Sequence, residues 1–259
     1  MTMLLLVDIG NTSIKIGMSR GEDVLASYTL PTDFTNQSAD NLGLQLKALC
    51  EHAGLAESVR ACIVSSVVPG MDPLLRQACK RYLAVEACFA HQDVAVPLEN
   101  HYERPQEVGA DRLVAAYGAR CLYPDVEALI CVDYGTATTF DCVLGQAYLG
   151  GLICPGVMSA LGALATRTAQ LPRIALESNA EGPIVGRSTI TSLNHGFLFG
   201  FASMTEGLCA RLGRDLPENR IVLATGGFAR AVSSVTTVID AVHPDLILEG
   251  LRRIHQEVV

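Results

Sequence analysis

The segments Asp8-Ile9-Gly10-Asn11-Thr12 and Asp133-Tyr134-Gly135-Thr136-Ala137-Thr138-Thr139 share one pattern in the two halves of the chain. Each follows an apolar run and precedes a second one, which predicts a strand, a tight turn and another strand, with an acid ending the first strand. Such a turn points backbone N–H groups and hydroxyls at an anion, and its acid lies where a cation or water can bridge to it. Two copies predict two similar lobes that face each other across a phosphate, as in a phosphotransferase.

The composition indicates a folded protein that does not bind nucleic acid. Of its 259 residues, 49% are hydrophobic and 18% are charged, and the mean hydropathy is +0.31, which is ample for one large or two medium cores. The formal net charge of −8 argues against a general nucleic-acid binder, which normally carries an excess of Lys and Arg. A nucleotide remains compatible with this charge because one phosphate site needs only local donors.

The cysteines and the uncharged stretches indicate a soluble cytoplasmic protein. The nine cysteines form no C-x-x-C pair, so we expect buried reduced thiols in a reducing cytoplasm, and no zinc site. Residues 142–166 carry no charge, but Gly150-Gly151 and Pro155-Gly156 interrupt any single helix, so no membrane span is predicted. The N-terminus has no basic leader and its apolar run is too short for a signal peptide.

Hydrophobic periodicity predicts an α/β order that restarts halfway along the chain. In the first half we expect strands at 4–7, 13–18, 24–30, 61–68 and 84–90, and helices at 36–52 and 71–83. In the second half we expect strands at 128–132, 138–144, 147–152, 221–224 and 236–241, and helices at 155–170, 188–212 and 244–256. The boundary is predicted within 115–127, giving domains 1–120 and 121–259, and a hinge there would let the lobes close on substrate.

The first turn is a candidate phosphate cradle. Gly10 permits close backbone approach, Asn11 and Thr12 add side-chain donors, and Lys15 can reach a phosphate oxygen from the second strand. An ordinary hairpin is the alternative for this segment alone. The second copy of the pattern favours the phosphate site.

A second candidate site is Gly109-Ala110-Asp111-Arg112, which opens a predicted helix. Capping of the helix is an alternative role for Asp111, whereas Arg112 in the first turn opposes the helix dipole. An acid and an arginine at a helix start suit the deprotonation of a hydroxyl while the arginine holds a carboxylate. Thr225-Gly226-Gly227, between a strand and a helix, leaves room for a flat base or ribose against the backbone.

With these motifs the sequence resembles the type III pantothenate kinases, within the superfamily of acetate and sugar kinases, Hsp70 and actin. The resemblance runs nearly end to end. Besides the segments above, it rests on Ser65-Ser66-Val67-Val68-Pro69, Gly150-Gly151-Leu152-Ile153-Cys154-Pro155-Gly156, Leu171-Pro172 and Gly186-Arg187-Ser188-Thr189.

The resemblance implies ATP-dependent phosphorylation of pantothenate to 4'-phosphopantothenate, the first step of coenzyme A biosynthesis. It also implies an actin-like ATPase fold of two duplicated ribonuclease-H-like domains with mixed five-stranded sheets and flanking helices, a homodimer, and a need for Mg2+ and for K+ or NH4+.

By position, the resemblance makes Asp111 the general base and Asp133 the ligand of the monovalent cation. The residues implied to bind the nucleotide are Asp8, Ile9, Gly10, Asn11, Thr12, Ser13, Ile14, Lys15, Thr136, Thr225, Gly226 and Gly227. Those implied to bind pantothenate are Tyr102, Gly109, Ala110, Asp111, Arg112 and Thr189. Leu113 stands where many relatives have a bulkier aromatic residue, which could adjust the pocket.

Other functions are compatible with parts of the sequence. Another small-molecule kinase of the superfamily is one alternative, although sugar sites usually present several Asn, Asp and Glu side chains. A non-catalytic regulatory relative is another, which the acidic charge and the intact Asp111 and Asp133 disfavour. For the uncharged stretch around 150–165, a dimer interface and a buried core helix are both compatible.

Overall fold

The computed structural model describes residues 3–33, 37–54, 59–167, 172, 174 and 184–258, which divide into two compact units. Unit 1 comprises the described residues up to Leu122 and those from Leu246 onward, and unit 2 comprises Tyr123–Asp245. Among these residues, no helix combines the length and the apolar composition needed to cross a membrane.

The elements of unit 1 are β1 (Met3–Ile9), β2 (Ser13–Arg20), β3 (Asp23–Pro31), α1 (Ala39–His52), β4 (Val59–Ser66), α2 (Asp72–Ala78), β5 (Ala87–Phe89), β6 (Glu99–Asn100), α3 (Ala110–Leu122) and α7 (Leu246–Val258). Those of unit 2 are β7 (Ala128–Tyr134), β8 (Ala137–Leu144), β9 (Ala147–Pro155), α4 (Val157–Arg167), α5 (Thr189–Leu212), β10 (Arg220–Thr225), α6 (Ala229–Ser233) and β11 (Ala241–Val242).

The two units repeat one strand order. In unit 1 the order is β3-β2-β1-β4-β5, with antiparallel β1–β2 and β2–β3 pairs and parallel β1–β4 and β4–β5 pairs. In unit 2 the order is β9-β8-β7-β10-β11, and each pair keeps the direction of its counterpart. The predicted duplication of a mixed sheet is therefore confirmed, and β1 corresponds to β7, β2 to β8 and β4 to β10. The first sheet has the predicted five strands, whereas the second has six.

Helices cover both faces of the first sheet because its central strand is apolar on both sides. Successive strand side chains point to opposite faces. Leu5, Val7 and Ile9 join the core cluster that contains buried residues of α1 and α2. Leu4 and Leu6 join the cluster formed with α3 and α7.

The last helix belongs to unit 1, whereas the sequence-based division put residues 121–259 in one domain. The buried residues Leu248, Leu251 and Ile254 of α7 pack in the same cluster as Leu6 and Ile63 of the first sheet. The chain returns to unit 1 because this face would otherwise expose apolar strand residues to water.

Two glycines allow α3 and α7 to cross closely. A Cβ atom at Gly250 would lie 2.1 Å from the carbonyl oxygen of Val114, and one at Gly118 would lie 2.7 Å from that of Leu246. Arg252, on α7, is buried and pairs with Glu249, and it also donates to the carbonyl of Gly21 in the β2–β3 turn. These contacts hold α7 against α3 and against the β2–β3 turn.

Several predicted elements differ from the observed ones at their ends. The first helix begins at Ala39, after Ser38, whose Oγ accepts a hydrogen bond from the Asn41 N–H at 3.1 Å. The helix predicted at 71–83 is α-helical only to Ala78 and continues as a π-helical turn, after which Ala84 takes a positive φ of 55°. Because of this turn, the strand predicted to begin at residue 84 begins at Ala87. The part of the predicted helix 155–170 beyond 167 lies outside the described residues.

The strand predicted at 236–241 is wrong, since only Ala241–Val242 pairs with β10. Polar contacts hold the preceding residues in a loop instead. Thr236 Oγ1 donates to Glu206 Oε1 at 2.6 Å, and the Asp240 carboxylate accepts from the Val222 N–H at 2.7 Å.

Candidate active site

The first turn connects β1 and β2 and is held by Thr32. Ile9 pairs with Ile14, so the turn comprises residues 10–13, and the Gly10 N–H donates to the Ser13 carbonyl at 3.0 Å. Thr32 Oγ1 donates to the Gly10 carbonyl at 2.7 Å, and the Thr32 N–H donates to the Thr12 carbonyl. Asn11, Thr12 and Ser13 remain exposed. The polar groups of the turn are therefore presented on a fixed backbone.

Asp8 lies in the middle of a polar row that crosses three strands. It pairs with Lys15 on β2 and with Ser65 on β4, and side chains of residues directly opposite each other share one face of a sheet. Alternation along β1 puts Asp8 on the face of Leu4 and Leu6, which is covered by α3 and α7. Ser65 is completely buried.

Asp133 occupies the equivalent place in unit 2. It pairs with Thr139 on β8 and with Thr225 on β10. Tyr134 pairs with Thr138, so this turn comprises only residues 135–137. The row Lys15–Asp8–Ser65 thus has the counterpart Thr139–Asp133–Thr225, in which a neutral threonine replaces the lysine.

Glycine at position 226 is required by Asp133 and its neighbour. Gly226 has a positive φ of 89°, and a Cβ there would lie 2.3 Å from Asp133 Oδ1 and 2.7 Å from the Tyr134 carbonyl oxygen. Gly227 has no atom within 4 Å of its notional Cβ. Because Gly226 has no side chain, the β10–α6 turn packs directly against the Asp133 carboxylate at the end of β7.

The N-terminus of α4 lies against the second turn. A Cβ at Gly156 would lie 2.1 Å from the Thr136 carbonyl oxygen, and Ser159 Oγ donates to that oxygen at 2.7 Å. Thr136, predicted to bind the nucleotide, is itself exposed. Its backbone is therefore fixed while its side chain remains accessible.

Asp111 lies in the first turn of α3, near the ends of β1 and β4. The Val67 N–H, directly after β4, donates to the Ile9 carbonyl at 3.1 Å. A Cβ at Gly109 would lie 3.3 Å from Val67 Cγ1 and 2.4 Å from Asp111 Oδ1. Val114 belongs to the cluster that α3 forms with α7 and the first sheet. Asp111 lies three residues earlier, so it is on a similar side of the helix. In unit 1 the helix start and the first turn therefore meet at one edge of the sheet.

Burial raises the pKa of the Asp111 carboxyl above its ordinary value. The Arg112 N–H, which donates to Asp111 Oδ1 at 2.8 Å, and the nearby Arg112 guanidinium both lower this pKa but do not outweigh burial. The same hydrogen bond shows that Asp111 also serves its own helix terminus. A carboxylate that is partly desolvated is a stronger base than an exposed one.

The residues predicted to bind pantothenate fall in both units. Arg112 is 9% exposed, so its charge is largely shielded from water. Tyr102 is half-buried, and its N–H donates to Asn100 Oδ1 at 3.0 Å. Thr189 is exposed in the first turn of α5, in unit 2, after the helix cap Ser188.

A cavity in unit 1 adjoins the segment that leads to α3. It has a volume of about 380 Å³ and is lined in part by Val94, Val96, Leu98, Asn100 and Leu113. Asn100 also donates to the Pro105 carbonyl at 3.2 Å, which holds the loop that carries Tyr102. Sequence analysis identified Leu113 as a pocket residue but gave no role to Asn100 or to the apolar residues before it.

The cysteines are mostly buried and form no disulfide bond among the described residues. Cys62 and Cys79 are closest, with their Sγ atoms 3.8 Å apart, and burial raises the pKa of Cys50 to about 11 and that of Cys209 to about 12. These thiols are therefore protonated at neutral pH. Within the described part of the chain, no cluster of three or more His, Cys, Asp or Glu side chains could hold a metal ion.

Comparisons with known proteins agree on one family. Residues 4–211 match the family model described as type III pantothenate kinase. The type III pantothenate kinase of Nitratidesulfovibrio vulgaris strain DP4 is 62% identical over 255 residues, which cover 98% of this chain and 97% of that protein. That of Oleidesulfovibrio alaskensis is 60% identical, covering 99% of this chain and 97% of that protein.

A solved structure shows the same fold at low sequence identity. The crystal structure of a ROK family glucokinase from Streptomyces griseus, in complex with glucose and AMPPNP, covers 98% of this chain and 99% of its own, with a TM-score of 0.57 and 14% identity. At this identity the likeness shows the fold alone. It confirms the predicted actin-like ATPase fold.

Proposed function

The chain belongs to the type III pantothenate kinase family, and we propose that its phosphorylation of pantothenate depends on the Asp111 carboxylate. The family membership makes the chain a kinase that uses ATP and acts in coenzyme A biosynthesis. The observation that carries the role of Asp111 is its position: it is a partly buried acid beside the ends of β1 and β4, where the first turn begins.

Asp111 would accept the proton of the primary hydroxyl of pantothenate. The raised pKa of this carboxyl increases its basicity. Phosphoryl transfer has a loose transition state, so the base mainly orients the hydroxyl towards the γ-phosphate and takes its proton late. Arg112 would hold the carboxylate of pantothenate, with Tyr102, Gly109, Ala110 and Thr189 as further contacts, since a guanidinium binds a carboxylate through two hydrogen bonds.

The nucleotide would be held by both turns. In the first, the fixed backbone at Gly10 and the exposed side chains of Asn11, Thr12 and Ser13 present donors to phosphate oxygens, and Lys15 supplies a positive charge. Ile9 and Ile14 close the turn by pairing with each other. In the second, the exposed Thr136 would contact phosphate, and Thr225, Gly226 and Gly227 would lie against the nucleoside.

Asp8 and Asp133 would hold the cations. The carboxylate of Asp8 is a hard oxygen ligand of the kind that Mg2+ prefers. Asp133 Oδ1 and the Tyr134 carbonyl oxygen both lie against Gly226. Two neighbouring oxygens of this kind fit K+ or NH4+. When bound, the cations neutralise charge on the phosphates.

A homodimer is proposed through an apolar surface of unit 2. Exposed apolar side chains occur on β9, on α4 and at the start of α5, and they are Ile153, Met158, Leu164 and Ile190. A groove of about 380 Å³ between α4 and α5 is lined by Leu164 and Phe197, among others. Exposed apolar side chains, together with an apolar groove, are typical of a contact with another protein copy. We also propose a location in a reducing cytoplasm, which the lack of disulfide bonds among the described cysteines supports.

An assay of ADP release tests the proposed activity against other acceptors. With ATP and Mg2+, we expect turnover with pantothenate to exceed turnover with glucose or acetate, and potassium or ammonium to raise it more than sodium does. A higher rate with glucose or acetate would contradict the assignment of substrate. A control without acceptor measures hydrolysis of ATP by water.

A further inference from the structure

Ser65 is a buried hydroxyl without a structural explanation. It is 0% exposed, and its Oγ has no hydrogen-bond partner among the described residues. Buried polar groups are nearly always hydrogen-bonded because leaving one unpaired costs free energy. An alanine at this position would avoid that cost and would fit the same space.

The location of Ser65 relates it to the phosphate site. It pairs directly with Asp8 across the parallel β1–β4 ladder, so both side chains share one face of the sheet. This face is covered by α3 and α7, and Val67, two residues after Ser65, contacts the start of α3 where Asp111 lies. The Ser65 hydroxyl is thus beside Asp8 and near the helix start that carries Asp111.

The duplicated unit keeps a hydroxyl at the same place. Thr225 of β10 pairs with Asp133 as Ser65 pairs with Asp8, and Thr225 is also buried, at 5% exposure. The neighbouring positions do not keep their chemistry, since Lys15 is replaced by Thr139 in the same row. The hydroxyl beside the acid is therefore a shared feature of the two half-sites.

We infer that Ser65 is a positioning residue of the phosphate site, which acts through Asp8. Its hydroxyl donates a hydrogen bond to the Asp8 carboxylate when Mg2+ and ATP are bound, and it holds that carboxylate in the orientation that receives the cation. Outer hydrogen bonds of this kind orient carboxylates that bind metal ions and raise their affinity. The inference rests on the proposed role of Asp8 in binding Mg2+ and ATP.

The test compares Ser65→Ala with Ser65→Thr. We expect Ser65→Ala to raise both the KM for Mg–ATP and the Mg2+ concentration for half-maximal activity by about tenfold, the size of one hydrogen bond to a charged group. The KM for pantothenate should change less than twofold. Ser65→Thr should restore both values, since threonine keeps the hydroxyl and occupies the equivalent place in unit 2.

The Tm of the free protein separates this positioning role from a structural role. If Ser65 stabilised the fold, Ser65→Ala would lower this Tm. Ser65→Ala should leave the Tm of the free protein unchanged or raise it, because it removes an unpaired buried hydroxyl. The rise in Tm on adding Mg2+ and a non-hydrolysable ATP analogue should be smaller than in the wild type, since weaker binding stabilises less.

Two other serines serve as controls. Ser19 is buried on the same face at the far end of the sheet, opposite Leu4, so Ser19→Ala should leave the KM for Mg–ATP unchanged. Ser66 donates to Asp72 Oδ1 at 2.5 Å, so Ser66→Ala should lower the Tm of the free protein.

Either of two results would overturn the inference. One is a Ser65→Ala protein with wild-type values for Mg–ATP and Mg2+; the other is a loss of Tm that accompanies equal losses for both substrates. A wild-type protein that binds the Mg2+–analogue complex but does not phosphorylate pantothenate would contradict the proposed function instead, and the binding comparison would still decide the role of Ser65.

Discussion

At the scale of single residues, the proposed chemistry depends on a carboxylate that is kept in a costly environment. Burial raises the pKa of Asp111 although an N–H and a guanidinium group stabilise its ionised form. A raised pKa in the folded state means that the folded protein binds the proton more tightly than the unfolded chain. The corresponding stability is present at low pH and is lost as the pH rises through the raised pKa.

We therefore expect Asp111→Asn to lower kcat by about two orders of magnitude or more, as loss of a general base does. At neutral pH the same variant should unfold at the same temperature as the wild type or higher, because a neutral amide replaces a partly desolvated charge. Steady-state kinetics and thermal unfolding measure the two effects. Near-normal turnover would remove Asp111 from its proposed role.

At the scale of elements, the two β-turns are alike in pairing and differ in charge. Asp8 pairs with Lys15, whereas Asp133 pairs with Thr139. The first half-site thus has an ammonium group within the chain at the position where the second has a neutral hydroxyl. We propose that a monovalent cation at Asp133 supplies the positive charge that Lys15 supplies in the first half-site.

Thr139→Lys should supply that charge from within the chain. We expect the variant to retain activity without potassium and to respond to added potassium by less than about twofold, because a fixed ammonium occupies the same electrostatic role. The rise in Tm that we expect potassium to cause in the wild type should also disappear. Thr139→Val removes only the hydroxyl and should keep the potassium response, and an unchanged potassium titration in Thr139→Lys would refute this explanation.

The α3–α7 crossing predicts opposite effects of alanine at two helical glycines. Gly250→Ala should lower the free energy of unfolding by about 1–3 kcal/mol, since its Cβ would overlap the Val114 carbonyl. Gly207→Ala in α5 meets no atom within 4 Å, so it should raise the free energy of unfolding by up to about 1 kcal/mol. Urea denaturation measures both values, and a neutral Gly250→Ala would show that the helices can separate freely.

At the scale of the whole molecule, the exposed apolar residues of unit 2 support the proposed homodimer. Its apolar residues at 153, 158, 164 and 190 are between 40% and 66% exposed, which is costly in water for a lone protein. A second copy that covers the α4–α5 groove would bury them.

Ile190→Glu should shift the protein from dimer to monomer, because an interface would have to bury the new charge without a partner. Light scattering after size-exclusion chromatography measures the mass directly. Leu44, on α1, has a similar exposure of 58%, against 59% for Ile190, so Leu44→Glu is the matched control and should remain a dimer. A wild-type protein with the mass of one chain would contradict the proposed assembly.

The sequence by itself determined the two acid-ended turns, the strand pairs around them and the helix that starts at Ala110, because these features depend on local chemistry: alternation, turn residues and capping. It also determined the family through motifs spread along the chain.

Only the tertiary structure decided that residues 246–258 complete unit 1, that the segment 236–240 is a loop, and that Ser65 lies beside Asp8. Each of these depends on contacts between residues far apart in the chain, and the free energy of burying Leu248 against Leu6, or of pairing Asp240 with Val222, has no local pattern in the sequence.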